Sequence, residues 1–183
     1  MGFFGQIMQP FPHFPAATSE RFYLPKALAY GTIVPTRYHI AYIPYFVKKA
    51  TSNLQLCVEQ TVANNQTIEV GIYDASQGLP SASRLYSGTI STTGAAIYSH
   101  SSNFSVSAGY YIVAGMATSA TPLQCRTITL NALTGDDFGR NTADASISTS
   151  YFFTQTDQTS LPSQVGTVVM SATNSGVNVF LRY

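Results

Sequence analysis

Charged side chains are scarce in this sequence. Only 9% of its 183 residues are Asp, Glu, Lys or Arg, against about a quarter in an average soluble domain. The net charge is +1, and no basic run is longer than the pair Lys48-Lys49. A protein that binds nucleic acid needs a basic face to displace counterions from the phosphates. A nucleic-acid partner is therefore not expected.

Tryptophan, long apolar runs and abundant cysteine are missing as well. No run approaches the roughly 18 residues of a membrane span, so membrane insertion is not expected. The N-terminal stretch has no basic region before its apolar residues and is interrupted by prolines, so no secretory signal is expected. Cys57 and Cys125 are too few for a metal site. They could form one disulfide in an oxidising compartment, but for a chain without a signal two buried free thiols are predicted.

Alternation of apolar and polar residues is the dominant pattern. Leu54, Leu56 and Val58 share one parity while Gln55 and Glu59 share the other, which is typical of a half-buried strand. The same pattern places Ile68, Val70 and Ile72 on an inward face. Ten strands are predicted in this way, over residues 41–47, 54–62, 67–73, 84–90, 96–100, 109–117, 124–130, 150–155, 165–172 and 177–183.

Short strands at this spacing, separated by Gly, Pro and Asn turns, predict an all-β fold. The expected architecture is an antiparallel β-sandwich, jelly-roll-like, over residues 37–183. The final strand is expected to pair into a sheet.

Residues 1–36 differ, because prolines and aromatic residues alternate there without a strand period. Proline removes a backbone donor and extends the residue before it, so this region is predicted to be an extended arm. Four phenylalanines are its candidate anchor or interface residues: Phe3, Phe4, Phe11 and Phe14. The arm either wraps its own domain or docks on another subunit, and the sequence leaves both open.

Asp74 ends an apolar run in GIYDASQGLP, residues 71–80. A catalytic carboxylate at a strand end would need a second acid, a histidine or a metal beside it. None is close in sequence, whereas Asp is favoured at the first position of a turn, where its side chain accepts a backbone N–H. Asp74 is therefore predicted to open a turn.

Other titratable groups form no recognisable site. The three histidines have no metal-ligand spacing, and the one acidic loop lacks the spacing of alternating calcium ligands. A hydrolase nucleophile elbow is also missing. We therefore expect no catalytic residue, cofactor or metal site; the residues considered are His13, His39, His100, Asp136, Asp137 and Asp144.

Tyrosine is abundant, with 12 in the chain. Outward tyrosines could stack on sugar rings or build a subunit interface, whereas most would simply pack on half-buried strands with the hydroxyl at the surface. The candidate surface-binding aromatics are Tyr73, Tyr86, Tyr98 and Tyr110.

Between about Tyr38 and Ala117 the chain carries several phrases in a fixed order: YIPYFV, LQLCVEQTV, GIYDASQGLPSASRLYSGTI, STTG and SAGYYIVAGMA. This order resembles a jelly-roll module of bacteriophage virion proteins, above all tail fibres and other receptor-binding appendages. The chain departs from that family in lacking the tryptophan that many such modules carry in the GYYIVA strand, and in showing no coiled-coil or collagen-like shaft.

The resemblance implies a non-enzymatic virion structural protein of a tail appendage, assembled in the bacterial cytoplasm. It implies a homotrimer that contacts other virion proteins through the arm and a host-surface glycan through the sandwich. A capsid decoration or head-fibre protein is one alternative. A carbohydrate-binding module is another, and a small hydrolase is a third without a motif.

Overall fold

The computed structural model describes residues 22–23, 30–47, 49–76, 81–119, 124–128, 152–171 and 175–182. Each of the ten predicted strands overlaps a strand of the structure. The described strands are β1 Phe22–Tyr23, β2 Tyr30–Ile33, β3 Ile40–Val47, β4 Thr51–Gln60, β5 Gln66–Asp74, β6 Ser83–Thr92, β7 Ala96–Val106, β8 Gly109–Ala117, β9 Cys125–Ile128, β10 Phe152–Gln155, β11 Val169–Ser171 and β12 Phe180–Arg182.

These strands form two antiparallel sheets that pack face to face. Sheet A has the order β1-β12-β4-β9-β2, with β7 on the opposite side of β4; sheet B has the order β11-β10-β3-β8-β5-β6. The chain crosses between the sheets repeatedly, from β3 to β4 to β5 and from β6 to β7 to β8. Crossings of this kind are common in Greek-key sandwiches. The prediction of an all-β antiparallel sandwich is confirmed.

The main hydrophobic core lies between the sheets. Ile68, Val70 and Ile72 of β5 are fully buried, as their parity predicts, and they join Leu56 and Val58 of β4 in one cluster. Each such side chain contributes about 1.5–3 kcal/mol when it leaves water. Pro44 is tolerated inside β3 because β10 pairs only with Ile40, Ala41 and Tyr42 of that strand, so no ladder donor is missing at residue 44.

A second core lies on the outer face of sheet B, beneath residues 158–168, which we call the strap. Leu161 of the strap packs with Tyr73 and with Tyr42, whose ring meets that of Tyr73 edge to face at 5.9 Å. The Tyr73 hydroxyl donates to the Pro162 carbonyl oxygen at 2.9 Å. The expectation that Tyr73 is a surface aromatic is therefore wrong. Its parity is outward, but the strap covers it completely.

Two short strands fall within the region predicted as an arm. β2 pairs with β9 at the edge of sheet A, and β1 pairs with β12. The candidate anchor residues Phe3, Phe4, Phe11 and Phe14 lie outside the described residues. β12 pairs with β4 over Cys57, Leu56 and Gln55, which confirms that the last predicted strand belongs to a sheet.

Candidate functional site

One end of the sandwich holds three of the five buried polar side chains among the described residues. At this end, which we call the polar end, β4, β6 and β8 finish while β3, β5, β7 and β9 begin. Gln60, Gln66 and Thr92 occupy inward positions there and are at most 2% exposed. An interior layer of amides and a hydroxyl is unusual, because burying such groups costs free energy unless each is hydrogen-bonded.

Gln60 is held on both sides of its amide. Its Nε2 donates to the carbonyl oxygens of Val62 at 2.6 Å and Asn64 at 2.7 Å, and its Oε1 accepts from the Thr92 hydroxyl. The amide thereby joins β4 of sheet A, β6 of sheet B and the turn after β4. The Gln66 side chain finds no hydrogen-bond partner within the described part of the chain. A buried amide without a hydrogen-bond partner lowers stability, and natural proteins keep such costs mainly at functional sites.

A shallow pocket of about 260 Å3 opens beside Gln60. Glu59 and Arg126 form an ion pair in its lining, with 2.7 Å between Oε1 and Nη2, and both side chains remain about one third exposed. Hydrogen bonding to Glu59 raises the pKa of the Arg126 guanidinium. Ile97, which is paired with Glu59 in the β4–β7 ladder, lines the pocket beside the ion pair, together with Ala95 and Ala96.

The elements around this pocket are fixed by further contacts. The Thr61 backbone N–H donates to the Gln124 carbonyl oxygen at 2.9 Å, and its hydroxyl donates to the Gln124 side-chain oxygen at 3.0 Å. In the turn between β6 and β7, which leads to Ala95, the Tyr98 hydroxyl accepts the backbone N–H groups of Thr93 at 3.0 Å and Gly94 at 2.8 Å. The pocket is therefore built on strands and a locked turn, which keep their geometry better than open loops do.

A second polar cluster lies at the same end, before β3 and after β10. Tyr38 and Asp157 both adopt left-handed backbone conformations, with φ of 65° and 59°, and the Gln158 N–H donates to the Tyr38 carbonyl oxygen at 3.1 Å. Arg37 lies over the Tyr38 ring at 4.3 Å and donates to the Thr118 carbonyl oxygen. Because a bulky residue rarely adopts this conformation, the turn is held by its contacts.

The four candidate tyrosines are dispersed. Tyr110 alone among them is exposed, at 48%, and it lies at the far end of the sandwich. Tyr86 points inward, and its hydroxyl lies 2.5 Å from His100 Nε2. Tyr98 packs on the main core and holds the turn described above. With Tyr73 beneath the strap, these residues do not form one binding surface.

The remaining candidates have structural roles or fall outside the described residues. Asp74 ends β5, and its Oδ1 accepts the Ser76 backbone N–H at 2.8 Å, which confirms the predicted turn. His39 and His100 lie on different parts of the sandwich, and the described residues contain no group of three or more potential metal ligands. The earlier candidates outside the described residues are His13, Asp136, Asp137 and Asp144.

The pocket was missed by sequence reasoning. In the sequence, Glu59 is only an acidic residue among the polar positions of a predicted strand. Arg126 lies 67 positions later in the chain. The useful observation would have been that Glu59 interrupts a strand otherwise free of charge. Pairing it with Arg126 required the strand order of sheet A.

Comparison with known proteins adds no assignment: no protein family, no curated protein and no solved structure matches this chain. Among the described residues, no helix has the length and apolar character needed to cross a membrane.

Proposed function

We propose that this chain is a non-enzymatic structural protein of a bacteriophage particle, a sandwich module of a tail fibre or receptor-binding appendage. The observation that carries the proposal is the ordered set of phrases from YIPYFV to SAGYYIVAGMA, which resembles the virion jelly-roll module. These phrases fall on consecutive strands, β3 to β8, of one sandwich. They thus describe one continuous architectural unit.

A non-enzymatic role is supported by how the reactive groups are used. The Asp74 carboxylate accepts a turn N–H, the Tyr73 hydroxyl donates to the strap, and the Tyr111 hydroxyl donates to the Ser107 carbonyl oxygen at 3.1 Å. Groups committed to structural hydrogen bonds in this way are poor candidates for proton transfer.

In this proposal the particle provides the partners. The chain forms a homotrimer, its N-terminal arm contacts other virion proteins, and the sandwich faces outward toward a host-surface glycan. The scarcity of charge suits a particle-bound protein, whose solubility does not depend on its own net charge. A capsid decoration protein has the same requirements and is the alternative within this class.

A carbohydrate-binding module outside any particle is the second candidate, favoured by the pocket beside Gln60. The two functions differ in where the protein is found. We expect gold-labelled antibody against the full chain to decorate intact phage particles at the tail in negative-stain electron microscopy. Label at the head would favour the decoration protein. The proposal would be overturned if purified particles carried no antibody label and contained no peptides of this chain.

A further inference from the structure

We propose that the polar-end pocket lined by Glu59, Ile97 and Arg126 binds a neutral saccharide. This inference rests on the proposed function, because it names the ligand through which an outward-facing sandwich would contact a host surface. It also moves the binding surface away from the exposed tyrosine at the far end. Nothing in the tyrosine pattern of the sequence pointed to this pocket.

The ion pair provides both kinds of hydrogen-bonding group that a sugar needs. A carboxylate has two oxygens that accept about four hydrogen bonds, and a guanidinium has five N–H donors. The single contact between Glu59 Oε1 and Arg126 Nη2 leaves capacity in both groups. Adjacent hydroxyls of a pyranose can donate to the carboxylate and accept from the guanidinium at once, in charge-assisted hydrogen bonds.

The charge of the pocket selects a neutral ligand. Glu59 and Arg126 are the charged members of its lining, and they have opposite signs. A phosphate or sulfate that approached Arg126 would also meet the Glu59 carboxylate, and like charges at that distance repel. A ligand rich in hydroxyl groups meets no such penalty.

Ile97, beside the ion pair, supplies the apolar contact. Ile97 is 49% exposed and stands directly across from Glu59 on the neighbouring strand, with Ala95 and Ala96 beside it. The C–H face of a pyranose can cover this side chain while its hydroxyl edge meets the ion pair. The volume of about 260 Å3 lies just below the range of pockets for drug-sized ligands, roughly 300–1,000 Å3, and suits a single sugar unit.

The pocket needs little reorganisation to bind. Tyr98 holds the turn at Thr93 and Gly94, and the buried Gln60 amide ties β4 to β6. Preorganisation reduces the entropic cost of binding. Because the pocket is shallow, we expect a Kd on the order of 1 mM for a monosaccharide, with tighter binding only when several copies act together.

The test is saturation-transfer difference NMR on the full chain with the methyl glycosides of glucose, galactose, mannose, N-acetylglucosamine and N-acetylgalactosamine. We expect at least one of them to receive saturation. Glu59→Gln, Arg126→Gln and Ile97→Ser should each weaken its binding about tenfold, since the first two replace a charge-assisted hydrogen bond by a neutral one and the third removes the apolar contact. Tyr110→Ala, at the far end, is the matched control and should bind as the unaltered protein does.

Circular dichroism and thermal unfolding of each variant show whether the sandwich is intact. The substituted side chains are partly exposed, so the variants are expected to fold. Absence of saturation for all five glycosides would overturn the inference. Binding that survives the three pocket substitutions but disappears in Tyr110→Ala would also overturn it and would place the site at the far end. Neither result changes where antibody labels a particle, so the proposed function is tested independently.

Discussion

Tyr111 and Asp74 each close a local hydrogen bond at the far end of the sandwich. Tyr111 reaches back to Ser107 across the connection between β7 and β8, and Asp74 caps the turn after β5. Both belong to the phrases through which the sequence resembles the virion module. At the residue scale, these phrases therefore specify strand ends and turns. They are tied to the architecture of the sandwich and do not by themselves specify a ligand.

The two thiols give the stability a defined pH dependence. Burial raises the pKa of Cys57 to about 11 and that of Cys125 to about 12, from an ordinary value of 9.0. Because the folded pKa exceeds the unfolded one, the neutral thiols contribute stability that is complete below the unfolded pKa. This stability is lost as pH rises toward the folded values. We expect the Tm to fall as pH rises from 9, and to fall less steeply in a Cys57→Ala/Cys125→Ala variant.

The same burial protects both thiols from alkylation. At pH 8 the native protein should resist iodoacetamide, whereas the protein in denaturing urea should gain two labels by intact-mass measurement, because the thiols are unlinked. One label or none in urea would contradict free cysteines. For the pH dependence, the Tm of the unaltered protein should fall more steeply than that of the Cys57→Ala/Cys125→Ala variant. If the two fell equally, thiol ionisation would not be the cause.

Gly88 is required where β6 and β7 meet. A Cβ at this position would overlap the His100 ring, which stacks on Tyr86 with 5.6 Å between ring centroids. The ring would have to leave this stack and its hydrogen bond to the Tyr86 hydroxyl. We expect Gly88→Ala to lower the free energy of unfolding by about 1–3 kcal/mol in urea titration.

Gly166→Ala is the matched control, since nothing lies within 4 Å of a Cβ there. Its effect should stay within about 0.5 kcal/mol. Combining Gly88→Ala with His100→Ala should cost less than the sum of the two single changes, because the clash disappears with the ring. Strict additivity would rule out the clash as the cause.

At the scale of elements, the strap gives sheet B a covered outer face. The Leu161 backbone N–H donates to Glu69 Oε2 at 2.8 Å, and its carbonyl oxygen accepts from Arg84. The Leu161 side chain is 2% exposed and would lie 3.0 Å from a Cβ at Gly71. The backbone N–H, the carbonyl oxygen and the side chain of Leu161 therefore hold the strap against β5 and β6.

We expect Leu161→Ala to destabilise the protein by about 2–5 kcal/mol, because it leaves a cavity above Gly71. Amide hydrogen exchange should show loss of protection at Val165, whose N–H donates to the Ala82 carbonyl oxygen. Val169→Ala is the control, since that side chain is 65% exposed. If Leu161→Ala were as mild as Val169→Ala, the strap would not be part of the core.

Strand faces could be predicted from the sequence because alternation is local. Ile68, Val70 and Ile72 are buried as their parity requires. Tyr73 shows the limit of that rule. Its parity gave the correct face of sheet B, but its burial depends on Leu161, which follows 88 positions later in the chain. The Glu59–Arg126 pair was unpredictable for the same reason, since it arises from strand order.

At the scale of the whole molecule, the proposed homotrimer can be tested by its mass in solution. Apart from Ile97 of the pocket, the large exposed apolar side chains of the described residues that a subunit contact could cover are Val34, Leu85, Tyr110 and Val169. With so few charges in the chain, two copies meet little like-charge repulsion. We expect light scattering at micromolar concentration to give three times the chain mass of 19.7 kDa, with little change between low and high salt. A monomer throughout this range would contradict the proposed homotrimer.

The last prediction concerns residues 1–15, which precede β1. This segment contains four phenylalanines, with His13 as its only titratable side chain, so its burial against a partner costs no charge desolvation. Each buried phenylalanine contributes about 1.5–3 kcal/mol, enough together to hold a subunit in a particle after ordering costs. We expect a chain lacking residues 1–15 to keep its Tm and its circular dichroism spectrum but to be absent from purified particles.

The control for chain length is the full-length protein with serine in place of Phe3, Phe4, Phe11 and Phe14. It should also be absent from purified particles. A truncated chain that unfolds would show instead that the arm completes its own domain, and a truncated chain that still enters particles would place the anchor in the sandwich.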